Sequence, residues 1–271
     1  MAVDHYENFP VASVLLPKRL RRPVEIIYHF ARQADDFADE GDLPNEERLA
    51  KLNAFRAELN RIAHHETPQT ALFRDVASIV SEFQLPLQLF HDLLDAFSQD
   101  VVKKRYANFD DVLDYCRRSA NPVGRLLLHL YEETTPQNLI YSDAICTGLQ
   151  LINFWQDVKK DYAIARIYLP QDEMNKYGVS AEHIAQCRLD AAWQALMKFQ
   201  CERARSIMQS GAPLGTILTG RIGLEMRLII AGGLRILDKL SAVNYDMYRK
   251  RPVLKPWDWV IMLLKSAPYS F

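Results

Sequence analysis

The segment from residue 150 to residue 170 constrains the fold more than any other, because it carries charged residues inside an apolar helical pattern. At about 100° per residue, four polar residues share one narrow stripe: Gln150, Asn153, Asp157 and Asp161. Large hydrophobic residues flank this stripe on both sides, so the pattern predicts a helix whose polar stripe faces the interior. Two carboxylates one turn apart repel each other by roughly 0.2–0.5 kcal/mol even in water. We therefore expect a cation between them.

A second acidic cluster, Asp35, Asp36 and Asp39, lies near the N-terminus and again follows an apolar run. Either cluster alone would fit a solvated helix face, in which Lys159 and Lys160 neutralise the aspartates of the later one. Two such clusters favour another interpretation, since Mg²⁺ is usually held by one or two carboxylates together with substrate phosphate oxygens. The two clusters predict a clamp for a diphosphate group and Mg²⁺.

The composition is that of an ordinary globular protein. The chain has 271 residues, of which 49% are hydrophobic and 25% charged, and this length is enough for one large core. We expect a single domain over residues 1–271. The formal net charge is -1, with both signs mixed along the chain, so nothing indicates a nucleic acid partner.

Cysteine usage and the N-terminus indicate the compartment. The four cysteines form no C-x-x-C pair, which fits a reducing compartment and argues against a zinc site or a disulfide scaffold. The first residues lack the basic and apolar regions of a signal peptide, and no run approaches the ~20 apolar residues of a membrane span. We expect a cytoplasmic protein whose membrane contact, if any, is peripheral.

The remaining segments carry helical periodicity, and no convincing strand appears between the prolines that punctuate the chain. The patterns predict an all-α bundle. Its helices include one from Val24 to Asp39 with Pro23 at the first position, three capped by Asn45, Asn108 and Ser180, a long one from Pro136 to Asp161, and one from Leu214 to Leu240.

The order of the motifs resembles the squalene/phytoene synthase family over nearly the whole chain. The matching pieces are residues 8–13, the pattern Tyr28-x-x-x-Arg32-x-x-Asp35-Asp36-x-x-Asp39, the pairs Tyr115-Cys116 and Val123-Gly124, and residues 150–170. Within the family, residues 6–13 and 245–259 are most similar to the bacterial hydroxysqualene synthase branch. The resemblance implies a single-domain isoprenoid-synthase helical bundle with a central cavity, and the two acidic clusters on opposing helices.

The resemblance also implies roles for individual residues. The metal ligands would be Asp35, Asp36, Asp39, Asp157 and Asp161, with Asp35, Asp39, Asp157, Asp161 and Arg118 taking part in catalysis. Substrate would be bound by Asn8, Tyr28, Arg32, Tyr115, Gln150, Asn153 and Tyr245. Two alternatives stay open, because Arg32 could pair with Asp35 or Asp36 and Tyr28 could belong to the core. The motif that contains Arg166 and Tyr168 usually begins with Gly, whereas this chain has Ala165.

The implied reaction turns presqualene diphosphate and water into hydroxysqualene and diphosphate, with Mg²⁺ and without NADPH. Enzymes that run both half-reactions carry a tyrosine where this chain has Arg118, and an arginine suits proton abstraction poorly. A water near Arg118, Asn121 or another polar cavity residue would then quench the cation. The alternatives are head-to-head condensation of prenyl diphosphates and, more remotely, a non-catalytic helical assembly factor. Partners would be the prenyl diphosphate and the upstream and downstream enzymes of a squalene pathway.

Two further expectations concern single residues and the C-terminus. Replacing Asp35, Asp39, Asp157 or Asp161 by Ala should abolish turnover and slightly stabilise the metal-free fold, if these carboxylates are unpaired. The segment from Trp257 to Lys265 is too short to span a bilayer but resembles an interfacial segment. Packing of this segment on the bundle is the alternative.

Overall fold

The computed structural model describes residues 16–266, with side chains up to Leu263. All regular elements in this range are helices, and one isolated bridge joins Arg105 to Ile167. The helices are α1 (Lys18–Asp39), α2 (Asn45–Ala63), α3 (Ala71–Phe83), α4 (Leu87–Val102), α5 (Phe109–Ser119), α6 (Asn121–Leu130), α7 (Pro136–Ala163), α8 (Gln171–Lys176), α9 (Ala181–Ala185), α10 (Ala191–Ser210), α11 (Leu214–Ile217), α12 (Gly220–Ala242) and α13 (Pro256–Ser266). The all-α prediction is confirmed.

Two of the predicted helix caps are confirmed. The Asn108 side chain accepts a hydrogen bond from the backbone N–H of Asp111 at 2.9 Å, and Ser180 forms a capping box with His183. Both arrangements satisfy backbone donors that have no partner inside the helix. Local chemistry was therefore enough to place the starts of α5 and α9.

Three other predicted boundaries are wrong. Helix α1 begins at Lys18, so Pro23 lies inside the helix, where its missing N–H removes one backbone hydrogen bond. Asn45 is the first residue of α2 and makes no capping bond, since the preceding Pro44 occupies the cap position. The predicted helix over residues 214–240 is split before Gly220, whose φ of +62° is a conformation that suits glycine.

The described core consists of two hydrophobic clusters. The first is built mainly from α1, α2, α3 and α4, where the Phe30 ring lies 5.1 Å from Phe90 and 5.8 Å from Phe73 in edge-to-face contacts. The second is built mainly from α5, α7, α10 and α12 around the fully buried Trp155 and Trp193. Helix α6 contributes to both clusters.

Within residues 16–266, no helix combines the length and the apolar character needed to cross a membrane.

Candidate active site

A cavity of about 530 Å³ is lined by both hydrophobic clusters. Its wall is mostly apolar, with Val24, Leu93, Phe97 and Leu149 among the lining residues. Six of the residues predicted from the sequence to act in the site line this cavity: Tyr28, Arg32, Asp35, Tyr115, Gln150 and Asn153. The structure therefore brings part of the Tyr28–Asp39 motif, Tyr115 and part of the 150–170 segment to the wall of one apolar cavity.

Helical periodicity explains why these residues share one wall. On α1, the lining residues recur every three or four positions from Val24 through Tyr28 and Arg32 to Asp35. On α7, the same spacing runs from Cys146 through Gln150 to Asn153. Residues at these spacings lie on one face of a helix, so α1 and α7 each present one stripe to the cavity. The polar residues follow the apolar ones toward the C-terminal part of each stripe.

Asp157 lies one turn beyond Asn153 on α7 and is bound by two cations. The Arg251 guanidinium donates to its two oxygens at 2.6 and 2.7 Å, and the Lys160 ammonium lies 3.0 Å away. Burial alone would raise the pKa of Asp157, but the hydrogen bonds and charge of Arg251 hold this pKa below the usual aspartate value. Asp157 is therefore ionised and paired in this state.

Asp161 lies one further turn along the same stripe, in a buried position that disfavours its ionised form. Burial, followed by the negative charge of Asp157, raises the pKa of Asp161 to about 8, against the opposing effect of Arg166. The Asp39 carboxylate on α1 also raises this pKa. The two acidic clusters are thus close enough to interact electrostatically, as the opposing-helix prediction requires.

Asp39 is tied to a buried arginine. The Arg166 guanidinium donates to the two Asp39 oxygens at 2.7 and 3.1 Å, and the Arg166 side chain is only 4% exposed. Arg166 also donates to the backbone oxygen of Asp100 at 3.1 Å. The assumption that the acidic clusters contain unpaired carboxylates is therefore wrong for Asp39, as it is for Asp157.

Asp100, on α4, is the residue that sequence reasoning missed. Its carboxylate is 3% exposed and accepts hydrogen bonds from the hydroxyls of Tyr115 at 2.6 Å and Tyr168 at 3.4 Å. Burial raises the pKa of Asp100 to about 6, although Arg166 and Tyr115 lower it. The sequence did contain a sign of this, because Asp100 comes three residues after Phe97 and so falls on the apolar, buried face of α4.

The end of α7 positions Arg166. The backbone N–H of Arg166 bonds to the Asp161 carbonyl at 2.8 Å, and that of Ala165 bonds to the Tyr162 carbonyl at 2.9 Å. These two bonds form a Schellman motif, in which the residue after the cap is usually glycine. Ala165 has that role here with a φ of +61°, so the backbone keeps the left-handed conformation despite the side chain.

Arg32 pairs with neighbouring carboxylates. Its guanidinium lies 2.7 Å from Asp36, 2.6 Å from Glu40 and 3.5 Å from Asp35. This is the pairing that the sequence offered as the alternative to phosphate binding. Arg32 nevertheless lines the cavity, so the same group can reach an anion there when its ion pairs exchange.

Six of the predicted residues do not line the cavity in the described part of the chain: Asp39, Asp157 and Asp161, whose partners are given above, and Asp36, Arg118 and Tyr245. Arg118 donates to Gln99 on α4 and to Asp114 on α5, each at 2.6 Å. Tyr245 packs beside α10 and α12, and its carbonyl accepts a hydrogen bond from the Trp193 indole at 3.0 Å. Asp36 belongs to the Arg32 network. Asn8 lies outside the described residues.

The residues present fit a divalent cation that is shared with a phosphate ligand. No three carboxylate, histidine or cysteine side chains within residues 16–263 form a metal-binding group by themselves. Mg²⁺ does not need such a group, because it commonly takes one or two carboxylates and completes its shell with phosphate oxygens and water. Burial is the main cause of the raised pKa of Asp161, and the charges of Asp157 and Asp39 add to it, so a divalent cation beside these carboxylates would favour the ionised form of Asp161.

Comparisons with known proteins agree with this geometry. The family model described as squalene/phytoene synthase matches residues 2–258. A hydroxysqualene synthase from Rhodopseudomonas palustris is 37% identical over 94% of this chain and 86% of its own length. A 15-cis-phytoene synthase from Synechococcus elongatus is 28% identical over 93% and 85%, respectively.

A solved structure extends the likeness to three dimensions. The crystal structure of a squalene synthase from Alicyclobacillus acidocaldarius superposes with a TM-score of 0.82 at 32% identity, covering 90% of this chain and 91% of that one. Sequence match, fold and cavity-lining motifs therefore agree, and the chain belongs to the squalene/phytoene synthase family of enzymes.

Proposed function

We propose that this chain converts presqualene diphosphate and water to hydroxysqualene and diphosphate, with Mg²⁺ and without a reductant. The observation that carries the proposal is that Arg166 joins the two acidic clusters, through the Asp39 carboxylate and the Asp161 carbonyl, on the same two helices that bring Asp35 and Asn153 to the wall of a large apolar cavity. Relatives named hydroxysqualene synthase are 34–37% identical to this chain. The acidic end suits a diphosphate bound with a cation, and the apolar wall suits a C30 hydrocarbon.

Several side chains would hold the diphosphate and its cation. Arg32, Tyr28, Gln150 and Asn153 present donors to the cavity, and a guanidinium is well shaped for phosphate oxygens. Carboxylates of the two acidic clusters, Asp35, Asp39, Asp157 and Asp161, would hold Mg²⁺. When bound, Mg²⁺ would supply Lewis-acid stabilisation of charge on the departing diphosphate.

The reaction begins when the carbon–oxygen bond to diphosphate breaks and the bonding electron pair leaves with the diphosphate. The apolar wall excludes bulk water from the resulting cation. Aromatic rings on this wall, those of Phe97, Tyr115 and Trp259, attract a cation through their π faces. After rearrangement, one water forms a new carbon–oxygen bond to the tertiary cation, and its proton passes to the released diphosphate.

Ser119 is a better candidate than Arg118 for holding this water. Arg118 is committed to Gln99 and Asp114, and the Asn121 side chain accepts a bond from Thr147 at 3.0 Å. Ser119 lines the cavity one turn beyond Tyr115, and its hydroxyl oxygen is buried without a hydrogen-bond partner in the described part of the chain. Rotation about one side-chain bond would direct that hydroxyl toward the cavity.

The decisive experiment incubates the purified chain and Mg²⁺ with either presqualene diphosphate or farnesyl diphosphate, with and without NADPH. Products are identified by mass spectrometry in water enriched in ¹⁸O. The proposal predicts one ¹⁸O atom in hydroxysqualene from presqualene diphosphate and no effect of NADPH. Efficient formation of presqualene diphosphate from farnesyl diphosphate would support the condensation alternative, and diversion to squalene by NADPH would overturn the proposal.

Two variants sharpen this experiment. Ser119→Ala should shift the product from the alcohol toward hydrocarbons formed by proton loss, while diphosphate release continues. Asp161→Asn should lose diphosphate release itself. If Ser119→Ala yields the alcohol in unchanged proportion, the water is held elsewhere. No reaction of the wild-type chain with either substrate would favour the assembly-factor alternative.

A further inference from the structure

Helix α13 presents an apolar face to the outside of the molecule. Four of its side chains are exposed hydrophobic groups, which we call the α13 apolar face: Trp257, Val260, Ile261 and Leu263. Trp257 is 78% exposed, the largest value among the exposed hydrophobic residues of the described chain. Concentrated apolar surface of this kind marks a site of contact with another phase or molecule.

The opposite face of α13 is fixed to the bundle, so the apolar face cannot turn inward. The buried Asp258 carboxylate accepts a hydrogen bond from Arg235 at 2.7 Å, pairs with Lys239, and caps the backbone N–H of Lys255 at 2.7 Å. Met262, one turn later, is also buried. The packing alternative is therefore confirmed for one face of α13, which contacts α12, and the interfacial alternative stays a prediction for the exposed face.

The same segment reaches the cavity. Trp259, on α13, and Leu254, just before it, both line the cavity wall. The α13 apolar face therefore adjoins the wall of the space in which a hydrocarbon would bind. A molecule with 30 carbons and one charged end partitions strongly out of water, since each buried CH₂ contributes roughly 0.8 kcal/mol.

The charges around α13 suit an anionic surface. Lys255 is exposed at the start of the helix, and Arg249 and Lys250 are exposed in the preceding segment. The one charged residue in the described side chains of α13 is Asp258, which is buried and paired. Tryptophan and basic residues beside an apolar helical face are characteristic of segments that lie in the membrane interface.

We propose that the α13 apolar face docks on the surface of an anionic lipid bilayer, with α13 lying in the interface. Eleven residues span about 17 Å at 1.5 Å per residue, too short to cross ~30 Å of hydrocarbon. A further step rests on the proposed function: the hydrocarbon substrate passes between the bilayer and the cavity beside Trp259. Docking itself does not depend on that step.

The test measures co-flotation of the full chain, without substrate, with vesicles of phosphatidylglycerol and phosphatidylethanolamine or of phosphatidylcholine alone. The variant is Trp257→Ser with Ile261→Ser, neither of which lines the cavity. The matched control is Ile140→Ser, since Ile140 is 60% exposed on α7. Circular dichroism confirms folding, and sedimentation equilibrium gives the oligomeric state.

Wild type and Ile140→Ser should bind the anionic vesicles, and the double variant should bind at least about tenfold more weakly, as expected from the loss of two buried apolar side chains. Lys250→Glu should reduce binding to anionic vesicles. Equal vesicle binding by the double variant and wild type would overturn the proposal. So would a wild-type dimer that the double variant abolishes, because a second copy would then cover this face.

Activity separates docking from the proposed function. With substrate in detergent micelles, the double variant should match wild type, whereas with substrate in anionic vesicles it should be slower. If the double variant loses vesicle binding but the wild type turns over neither form of the substrate, the proposed function is contradicted and docking remains supported.

Discussion

The Arg251 guanidinium donates to both oxygens of Asp157, at 2.6 and 2.7 Å, although 94 positions separate the two residues. The carboxylate of Asp157, which we propose as a ligand of Mg²⁺, is thus paired with a guanidinium of the protein itself. Binding of the metal must weaken or rearrange this pair. Arg251 also places the segment before α13 against the end of α7, so the pair links the acidic end of the site to the cavity wall.

Replacing Arg251 by Gln should strengthen binding of Mg²⁺ alone, because the competing charge on Asp157 is removed. A gain of about fivefold corresponds to the ~1 kcal/mol upper range of exposed ion pairs. Titration calorimetry without diphosphate measures this affinity. Arg249→Gln is the control, since Arg249 is exposed and pairs with Asp246. Weaker Mg²⁺ binding by Arg251→Gln would mean that Arg251 orients Asp157 for the metal.

Asp39→Asn should destabilise the protein, because it removes the bidentate carboxylate partner of the buried Arg166 and leaves it only the Asp100 carboxylate, 3.8 Å away. Removal of one member of a buried pair costs about 3–5 kcal/mol, and we expect about 2–3 kcal/mol because Asp39 is partly exposed. Urea unfolding gives the free energy. Asp35 lies on the same helix and pairs with Arg32, and its side chain is more exposed than that of Asp39. Asp35→Asn should therefore lower the free energy of unfolding by less than about 1 kcal/mol. Equal losses would contradict a special role for Arg166.

Asp161→Asn should stabilise the metal-free protein at pH 8. The pKa of Asp161 is raised from 3.8 to about 8 by burial and by Asp157, so the folded state keeps a proton that the unfolded chain has released. The contribution of Asp161 to stability is therefore fully present below pH 4 and is lost as pH rises to about 8.

Thermal unfolding at pH 4, 6 and 8 checks this sign. Asp161→Asn should melt at a higher temperature than wild type, and this difference should grow with pH. At pH 8 it should reach at least about 2 °C, the shift that roughly 1 kcal/mol causes in a chain of this size. Saturating Mg²⁺ and diphosphate should reverse the order at pH 8, since only the wild type gains the ligand. A difference that is constant with pH would refute the elevated pKa.

Ala165→Gly should stabilise the protein by about 0.5–1 kcal/mol, because glycine accepts the positive φ of the Schellman motif more readily than alanine. Urea unfolding measures the change. Ala163→Gly is the matched control, since Ala163 lies in the last turn of α7 and should lose stability. A loss at both positions would show that Ala165 makes contacts that outweigh its backbone strain.

The sequence was sufficient for features that depend on local periodicity. The stripes on α1 and α7 could be predicted because a helix repeats every 3.6 residues, and they brought Tyr28, Asp35 and Asn153 to one cavity as expected. Contacts between distant segments could not be predicted. Arg166 lies 127 positions from Asp39, and nothing in the spacing of either motif indicates that they meet.

Arg118 shows a different limit. Its position next to the Tyr115 motif is visible in the sequence, but the direction of a long side chain depends on the available partners. Asp114, one turn earlier on α5, and Gln99 on α4 capture the guanidinium outside the cavity. The spacing from Phe97 places Asp100 on the apolar face of α4, but only the packed structure shows that two tyrosine hydroxyls donate to it.

The division of the core into two clusters has a consequence for turnover. The cavity lies along the seam between them, so a hydrocarbon that fills it buries apolar surface from both halves at once. Under the proposed function, the substrate would thus pack against both clusters as part of the core. Release of a water-insoluble product would take that apolar contact away from both clusters at once.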